Sequence, residues 1–514
     1  VEFDGFTWTD VTLEAPQPLQ VEELCLSWSM PASEATLMHA DRLSWSNNPA
    51  GAVAPEGFTL PFVPYLWLGN EDRGLSWYCE RRQHWQTDPT KATIEVRPQG
   101  DQVAVTIRLI ATPSTLQGRL DYGFGMMASP VRPYPADAMR WRMTPGVRAT
   151  VDIIWPNGNM RYYGYPEPAD PAAFAAKVKA DHDQGIKVVP YVNLNFVSTG
   201  VPEWAYYRAH WADADRIVTP SDVAAMGYAS AGTCPNRRDW QDFILYRINE
   251  MIDRYGVDGI YVDCWGPTAC KCPACAWTDE AGEVQPAHPV RAYRQVMRRA
   301  YALFRQRHAS PWLMIHMSSE VDLPLLSFSD AILDGEQFAP AKVGDDYLKC
   351  LPPDMFRAEF LGRNMGPVEF FLPEFRPEYT AEKTANLAAY TLLHGTHVWP
   401  IWSDGATWNR LYEVLDAFGV EGATFLPYWK SPSWAQRPPD LVSAYVGSKG
   451  ALLVDVNSNP VPGEARITLD LERLGLTGLT SAVDVLRDQP LPLAGNVLTI
   501  PQQAHQGRVI WLKP

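Results

Sequence analysis

The sequence predicts a multidomain α/β plus β protein: a central (β/α)₈ TIM barrel with an N-terminal β-sandwich and a C-terminal β-domain. Three observations predict it. The chain has 514 residues, too many for one hydrophobic core. Both ends read as short β-branched runs between Pro, Gly and Asn turns. The middle alternates strand-like apolar runs with helical periodicity, the signature of βα units.

Residues 1–133 form the expected sandwich, with TWTDVTL, ATIEVRP and VAVTIRLI among its strands. Residues 134–432 form the expected barrel. Asp170-Pro171 is an N-cap followed by Pro at the first helical position, and Phe174 and Val178 then share one helical face. Gly185 ends that helix and the strand IKVVPYVN follows. Ile244, Ile248, Met251 and Tyr255 repeat at helical spacing, Gly256 is the stop, and GIYVDC is a buried strand tipped by Asp263. The eight barrel strands read as TVDIIWP, IKVVPYVN, DGIYVDC, WLMIHMS, AILDGEQ, VEFFLP, HVWPIW and ATFLPYW. Most carry polar or aromatic tips, and parallel barrels place their chemistry at strand C-terminal ends. Residues 433–514 form the closing β-domain, joined through SPSWAQRPPD.

Composition narrows the partners. A net charge of −15 argues against nucleic acid and anionic lipid and suits a neutral substrate. No apolar run reaches the ~18 residues that span a bilayer. The 20 Trp suit stacking on sugar rings as well as β-rich cores. Oligosaccharide or glycoside is therefore the expected substrate, with no nucleic-acid or membrane partner; a homo-oligomer is compatible with the sequence.

Asp330-x-x-x-Asp334-Gly335-Glu336 is the sharpest local feature. If LDGE ends a strand, Asp334 and Glu336 point to one side. Neighbouring carboxyls push their pKa values apart, which glycosidic cleavage uses. These two are the expected catalytic pair. Asp263, Trp265, Tyr191, Asn193, His316, Trp399, Trp402 and Tyr428 are the expected substrate contacts, most of them at strand ends.

Of eight cysteines, Cys25, Cys79 and Cys350 read as small buried hydrophobes. Cys270, Cys272 and Cys275 crowd into six residues with Pro inside a Cys-x-x-Cys pair, a zinc half-site that Cys234 completes. Disulfides are the competing reading. The pattern resembles the structural zinc cluster of family 42 β-galactosidases. A metal here would be structural, and no cofactor is expected for catalysis. Thiolate zinc suits a reducing cytoplasm, which favours that compartment slightly over an exported location.

Tyr65–Glu80, YLWLGNEDRGLSWYCE, and Asp121–Pro135, DYGFGMMASPVRPYP, resemble the N-terminal region of proteins related to glycoside hydrolase family 123. GIYVDCWGP, IHMSS and DGEQF follow in the same order. The resemblance implies a retaining exo-β-N-acetylgalactosaminidase with a substrate-assisted mechanism. Asp334 would steady the acetamide and Glu336 would be the acid/base. That family's pair is directly adjacent, whereas Gly335 intervenes here, a D-x-E spacing similar to that of family 18 chitinases. Two alternatives stay open. One is a barrel glycosidase resembling the α-galactosidase type, with Asp263 as direct nucleophile and Asp334 or Glu336 as acid. The other is a non-catalytic carbohydrate-binding protein.

Overall fold

The computed structural model describes residues 1–44, 49–218, 221–317, 321–338, 346–375, 379–430 and 440–514. All but the last residue of the predicted linker SPSWAQRPPD lies outside the described residues. The chain is a multidomain α/β protein that divides into two compact units. The first is Val1–Tyr134, Ile153–Ile332 and Gly362–Pro367; the second is Pro135–Asp152, Leu333–Leu361 and Val368–Pro514.

The first unit opens with two antiparallel sheets. One has six strands in the order Thr7–Val21, Ser114–Ser129, Gly74–Tyr78, Tyr65–Gly69, Leu37–Ala40, Ala50–Ala52. The other has four, Leu24–Pro31, Gln102–Ile110, Ile94–Gln99 and Phe58–Leu60. Burial alternates along Gln102–Ile110 as a half-buried strand requires. Trp77, Ile94, Val105 and Ile107 share the core between the sheets.

The same unit carries, in one parallel sheet, the strands Lys187–Asn193, Gly259–Asp263 and Trp312–His316 in that order, together with residues 153–154 of strand Val151–Ile154 and 331–332 of strand Ala331–Asp334. At its centre Tyr191 pairs with Tyr261, and Tyr261 with Met314, in parallel register. These strands are buried on both faces, which is why they read as continuous apolar runs. Gly259 is required by space: a Cβ there would lie 1.7 Å from the Trp312 carbonyl oxygen. Helix Pro171–His182 begins as its sequence predicts, with the Asp170 carboxylate accepting from the N–H groups of Ala172 and Ala173. Helix Arg238–Tyr255 ends on Gly256 at φ 71° and buries Ile244, Ile248 and Met251.

In the second unit, strand Val368–Phe371 pairs in parallel with His397–Val398. Helices Ala381–His394 and Gly405–Phe418 are capped by Thr380 and Asp404 and stop on Gly395 and Gly419 in left-handed conformation. A six-stranded sheet follows the order Thr424–Leu426, Leu441–Gly447, Gly450–Asn457, Gln506–Lys513, Ser481–Asp484, Gln489–Pro490. A three-stranded sheet of Gly463–Thr468, Val497–Gln502 and Leu493–Ala494 shares its core.

One expectation changes here. ATFLPYW was read as the eighth barrel strand, but Thr424–Leu426 pairs antiparallel with Leu441–Gly447. It is an edge strand of the closing β-domain, and apolar content alone could not tell the two roles apart. The described residues thus contain seven of the eight expected parallel strands. None of their helices is long and apolar enough to cross a membrane.

Candidate functional site

Asp263 is the polar tip of strand Gly259–Asp263 and its side chain is 16% exposed. His316 Nδ1, from the neighbouring strand, lies 2.8 Å from Asp263 Oδ1. The same nitrogen is 2.8 Å from the Tyr261 hydroxyl, which is itself 3.5 Å from Oδ1. On the other oxygen, Oδ2 accepts from the Tyr191 hydroxyl and, at 3.4 Å, from the Cys264 thiol. The Tyr163 hydroxyl sits 3.3 Å from that of Tyr191. Burial pushes the Asp263 pKa up. The hydrogen bond and charge of His316 and the Tyr191 hydroxyl outweigh it and hold the carboxyl below its ordinary range. Asp263 is thus an anion caged by donors.

The parallel register explains the cage. Tyr191, Tyr261 and Met314 are level in three adjacent strands, so residues two further along, Asn193, Asp263 and His316, are level too. Trp155 and Tyr163, both half-buried, add ring faces around it: Trp155 is 4.9 Å from Tyr191 and Tyr163 is 5.3 Å from it, both edge-on. Just past the tip, Cys264 takes φ 52° and turns the chain away.

The other expected contacts fall in different places. Tyr191 and His316 are buried, and the Tyr191 hydroxyl and His316 Nδ1 both face Asp263. Asn193 is 5% exposed and its side-chain oxygen accepts from the N–H groups of Asn195 and Phe196, forming the turn. Trp265 is 1% exposed and packs on Tyr293 at 4.3 Å. Trp399 is buried with its indole N–H on the Thr144 carbonyl, and Trp402 is half-buried at φ 49°. Tyr428 is half-buried, its hydroxyl 3.2 Å from His394 Nε2.

The predicted pair sits in the second unit. Strand Ala331–Asp334 ends at Asp334; Gly335 takes φ 122° and Glu336 opens a 3-10 turn, Glu336–Phe338. Strand alternation, the premise for putting both side chains on one face, therefore stops between them. Asp334 is fully buried and Glu336 half-buried. The Gly335 N–H donates to Asp334 Oδ1 at 2.7 Å and to Gln337 Oε1 at 3.1 Å, while Gln337 Nε2 donates to Glu359 at 3.3 Å.

Glu369, in strand Val368–Phe371, is 1% exposed, and among the described residues neither carboxyl oxygen has a hydrogen-bond partner. Burial, then the charges of Asp334 and Glu359, push its pKa far above the carboxylate range. The sequence reading missed it, although a Glu inside the apolar run VEFF was the available signal. It also missed Tyr261, which is two residues before Asp263 on the same strand face, and Tyr163, which lies in a loop without a pattern.

The four clustered cysteines meet as their spacing predicts. Cys234, Cys270, Cys272 and Cys275 are all buried, with their sulfurs within 4.8 Å of one another, a group able to bind a metal ion. Of the other four, Cys79 is buried as expected, Cys25 and Cys350 are half-buried, and Cys264 is exposed.

Comparison with known proteins places this architecture. A family model described as "Domain of unknown function (DUF6259)" matches residues 128–283, which hold both Asp263 and the cysteine cluster. No curated protein matches. The GH36 α-galactosidase AgaA from Geobacillus stearothermophilus is similar in structure, with a TM-score of 0.51 at 9% identity, over 95% of this chain and 76% of that one. The α-galactosidase from Lactobacillus brevis is similar with a TM-score of 0.50 at 9% identity, over 99% of this chain and 78% of that one. At this identity the likeness is one of fold. Both are described as α-galactosidases, so the family 123 resemblance stays one of sequence segments.

Proposed function

We propose that the chain is a retaining glycoside hydrolase acting on a neutral sugar, with Asp263 as its nucleophile. The observation that carries this reading is the donor cage that keeps Asp263 ionised at the tip of a parallel strand. An Asp263 oxygen attacks the anomeric carbon as the glycosidic bond breaks. A carboxylic acid protonates the departing oxygen, and water then cleaves the glycosyl ester. Asp334 and Glu336 remain the sequence's candidates for that acid, and Glu336 is the one with partial exposure. Tyr191 and His316 position Asp263, and Trp155 and Tyr163 offer faces to a sugar ring. The fold likeness to α-galactosidases makes an α-galactoside the first substrate to try.

The substrate-assisted reading on 2-acetamido sugars draws its support from the family 123 resemblance and loses the strand geometry that favoured Asp334 with Glu336. The thiolate cluster has no part in the chemistry, because four thiolates fill a tetrahedral zinc shell and leave no open position. A zinc ion there would be structural.

A panel of aryl glycosides in both anomers, with and without a 2-acetamido group, tests the substrate. A fluorinated glycoside that traps the intermediate then tests the nucleophile, with the label expected on Asp263 by peptide mapping. A label elsewhere, or undiminished turnover by Asp263→Asn, removes the reading. Sugar binding without hydrolysis across the panel would favour the non-catalytic alternative.

A further inference from the structure

The 264–289 connection links the tip of strand Gly259–Asp263 to helix Val290–Arg305. Its only strands are the two-residue pair Trp277–Thr278 and Val284–Gln285. Besides Trp265, which packs on Tyr293, its apolar cluster is Cys270, Cys272, Cys275 and Ala287, joined by Cys234 from outside the segment and with Ala274 packed against them. So small an apolar cluster cannot offset the entropy of ordering 26 residues, and segments of this kind need a covalent or metal staple.

The cysteines have the form of a metal staple. Cys234 and Cys275 sulfurs are 3.3 Å apart, well beyond the ~2.05 Å of a disulfide bond. All four sulfurs converge on one point instead of forming two separate pairs. Two donors already face sulfur: the Ala274 N–H points to Cys272 Sγ and the Asn236 amide to Cys275 Sγ, each at 3.3 Å. Such N–H···S bonds stabilise thiolates and orient them toward a metal.

The knot is tied to the Asp263 tip. Thr233, the residue before Cys234, donates its N–H to the Asn195 carbonyl at 2.7 Å and its hydroxyl to the Leu194 carbonyl at 3.0 Å. The Asn195 side-chain amide donates to the Cys264 carbonyl, next to Asp263. The Tyr293 hydroxyl donates to Asn195 Oδ1 at 2.6 Å and is 3.0 Å from the Thr268 hydroxyl. Cys270 and Ala287 close the base with reciprocal backbone bonds of 2.8 and 3.1 Å. Asn195 thus sits between the cysteine knot and the backbone carrying Asp263.

We propose that Cys234, Cys270, Cys272 and Cys275 bind one thiophilic divalent cation of the zinc class, and that this ion orders residues 264–289 and, through Asn195, holds the Asp263 tip. The effect on turnover rests on the reading of Asp263 as nucleophile; the metal and exchange measurements do not.

The test uses the full chain purified without added metal. Elemental analysis is expected to find one equivalent of a zinc-class ion. A thiol-binding mercurial should release it. Hydrogen exchange should then rise about tenfold or more in peptides from 264–289, while those from Leu441–Gly447 stay unchanged. Cobalt loading should give the intense visible bands of a tetrahedral thiolate site. Cys350→Ser should keep the full equivalent and Cys272→Ser should lose it; the mercurial arm holds even if the latter fails to fold. Less than about a tenth of an equivalent in the purified chain, with free thiols or disulfides found instead, overturns the site. Metal release that leaves exchange in 264–289 unchanged overturns the coupling. A metal-free chain whose Asp263 is still labelled by the fluorinated glycoside would sink the knot and spare the nucleophile.

Discussion

Asp263 in the first unit and Glu369 in the second are both carboxyls on parallel strands, and their surroundings push them in opposite directions. Asp263 has donors on both oxygens, from Tyr191, His316 and Cys264, and stays ionised. Glu369 has no hydrogen-bond partner among the described residues and two carboxyl neighbours, and its pKa is pushed well up toward the protonated form. Burial alone therefore does not set the charge of a strand-end acid; the count of donors aimed at it does. A preformed anion costs no reorganisation when a bond must be attacked, which is why the nucleophile is sought at Asp263. A silent, protonated acid instead belongs to the packing of its unit.

The largest effect that could break this contrast comes from Asp263→Asn. Its kcat is expected to fall at least about 10³-fold, because a step that exists only through that oxygen is lost. Gel-purified variant assayed on the best aryl glycoside measures it. The same substitution also has a stability signature. The depressed pKa of Asp263 means its contribution is present above the unfolded value of about 3.9 and is lost as pH falls through the folded value. Wild type should lose Tm faster than Asp263→Asn at the acid end.

How much of this contrast was legible beforehand differs between the units. GIYVDC reads as a strand with a polar tip because apolar continuity and a terminal Asp are both local signals. The cage around it was half legible. Tyr191 and His316 stood out as strand-end residues, but their aim at Asp263 depends on parallel register, which no single segment encodes. In LDGE the same-face placement of Asp334 and Glu336 assumed that strand alternation runs on through Gly335, and at φ 122° Gly335 ends the strand instead. The eighth strand failed because pairing partner, not composition, decides whether an apolar run joins a parallel or an antiparallel sheet. The cysteine cluster was the most legible feature, since thiol spacing constrains three-dimensional convergence more tightly than hydrophobic pattern does.

Tyr191→Phe sharpens the comparison from the first unit. It removes one charged hydrogen bond, worth about 1.5–3 kcal/mol, so kcat should fall roughly ten- to a hundredfold with KM little changed. The acid limb of the pH–rate profile should move to higher pH as Asp263 becomes easier to protonate. A loss confined to KM would make Tyr191 a substrate contact instead. Gly335→Ala probes the second unit. It forces a side chain into φ 122° and puts a Cβ 3.0 Å from the Leu372 carbonyl oxygen, so a stability loss of about 1–3 kcal/mol is expected in denaturant titration.

The smallest effect, and the most direct contrast with Asp263, belongs to Glu369→Gln. The folded-state pKa of Glu369 is raised, so the folded chain binds its proton more tightly than the unfolded chain. The stability this group contributes is complete below the unfolded value of about 4.3 and declines as pH rises toward the folded value. Gln has the same shape, cannot ionise, and removes the decline. The Tm difference between variant and wild type should therefore be near zero at low pH and grow with pH in favour of Gln. That slope is opposite in sign to the Asp263→Asn experiment. A Tm difference that shrinks with rising pH would mean Glu369 is ionised in the fold and has found a donor, and the contrast between the two carboxyls would collapse.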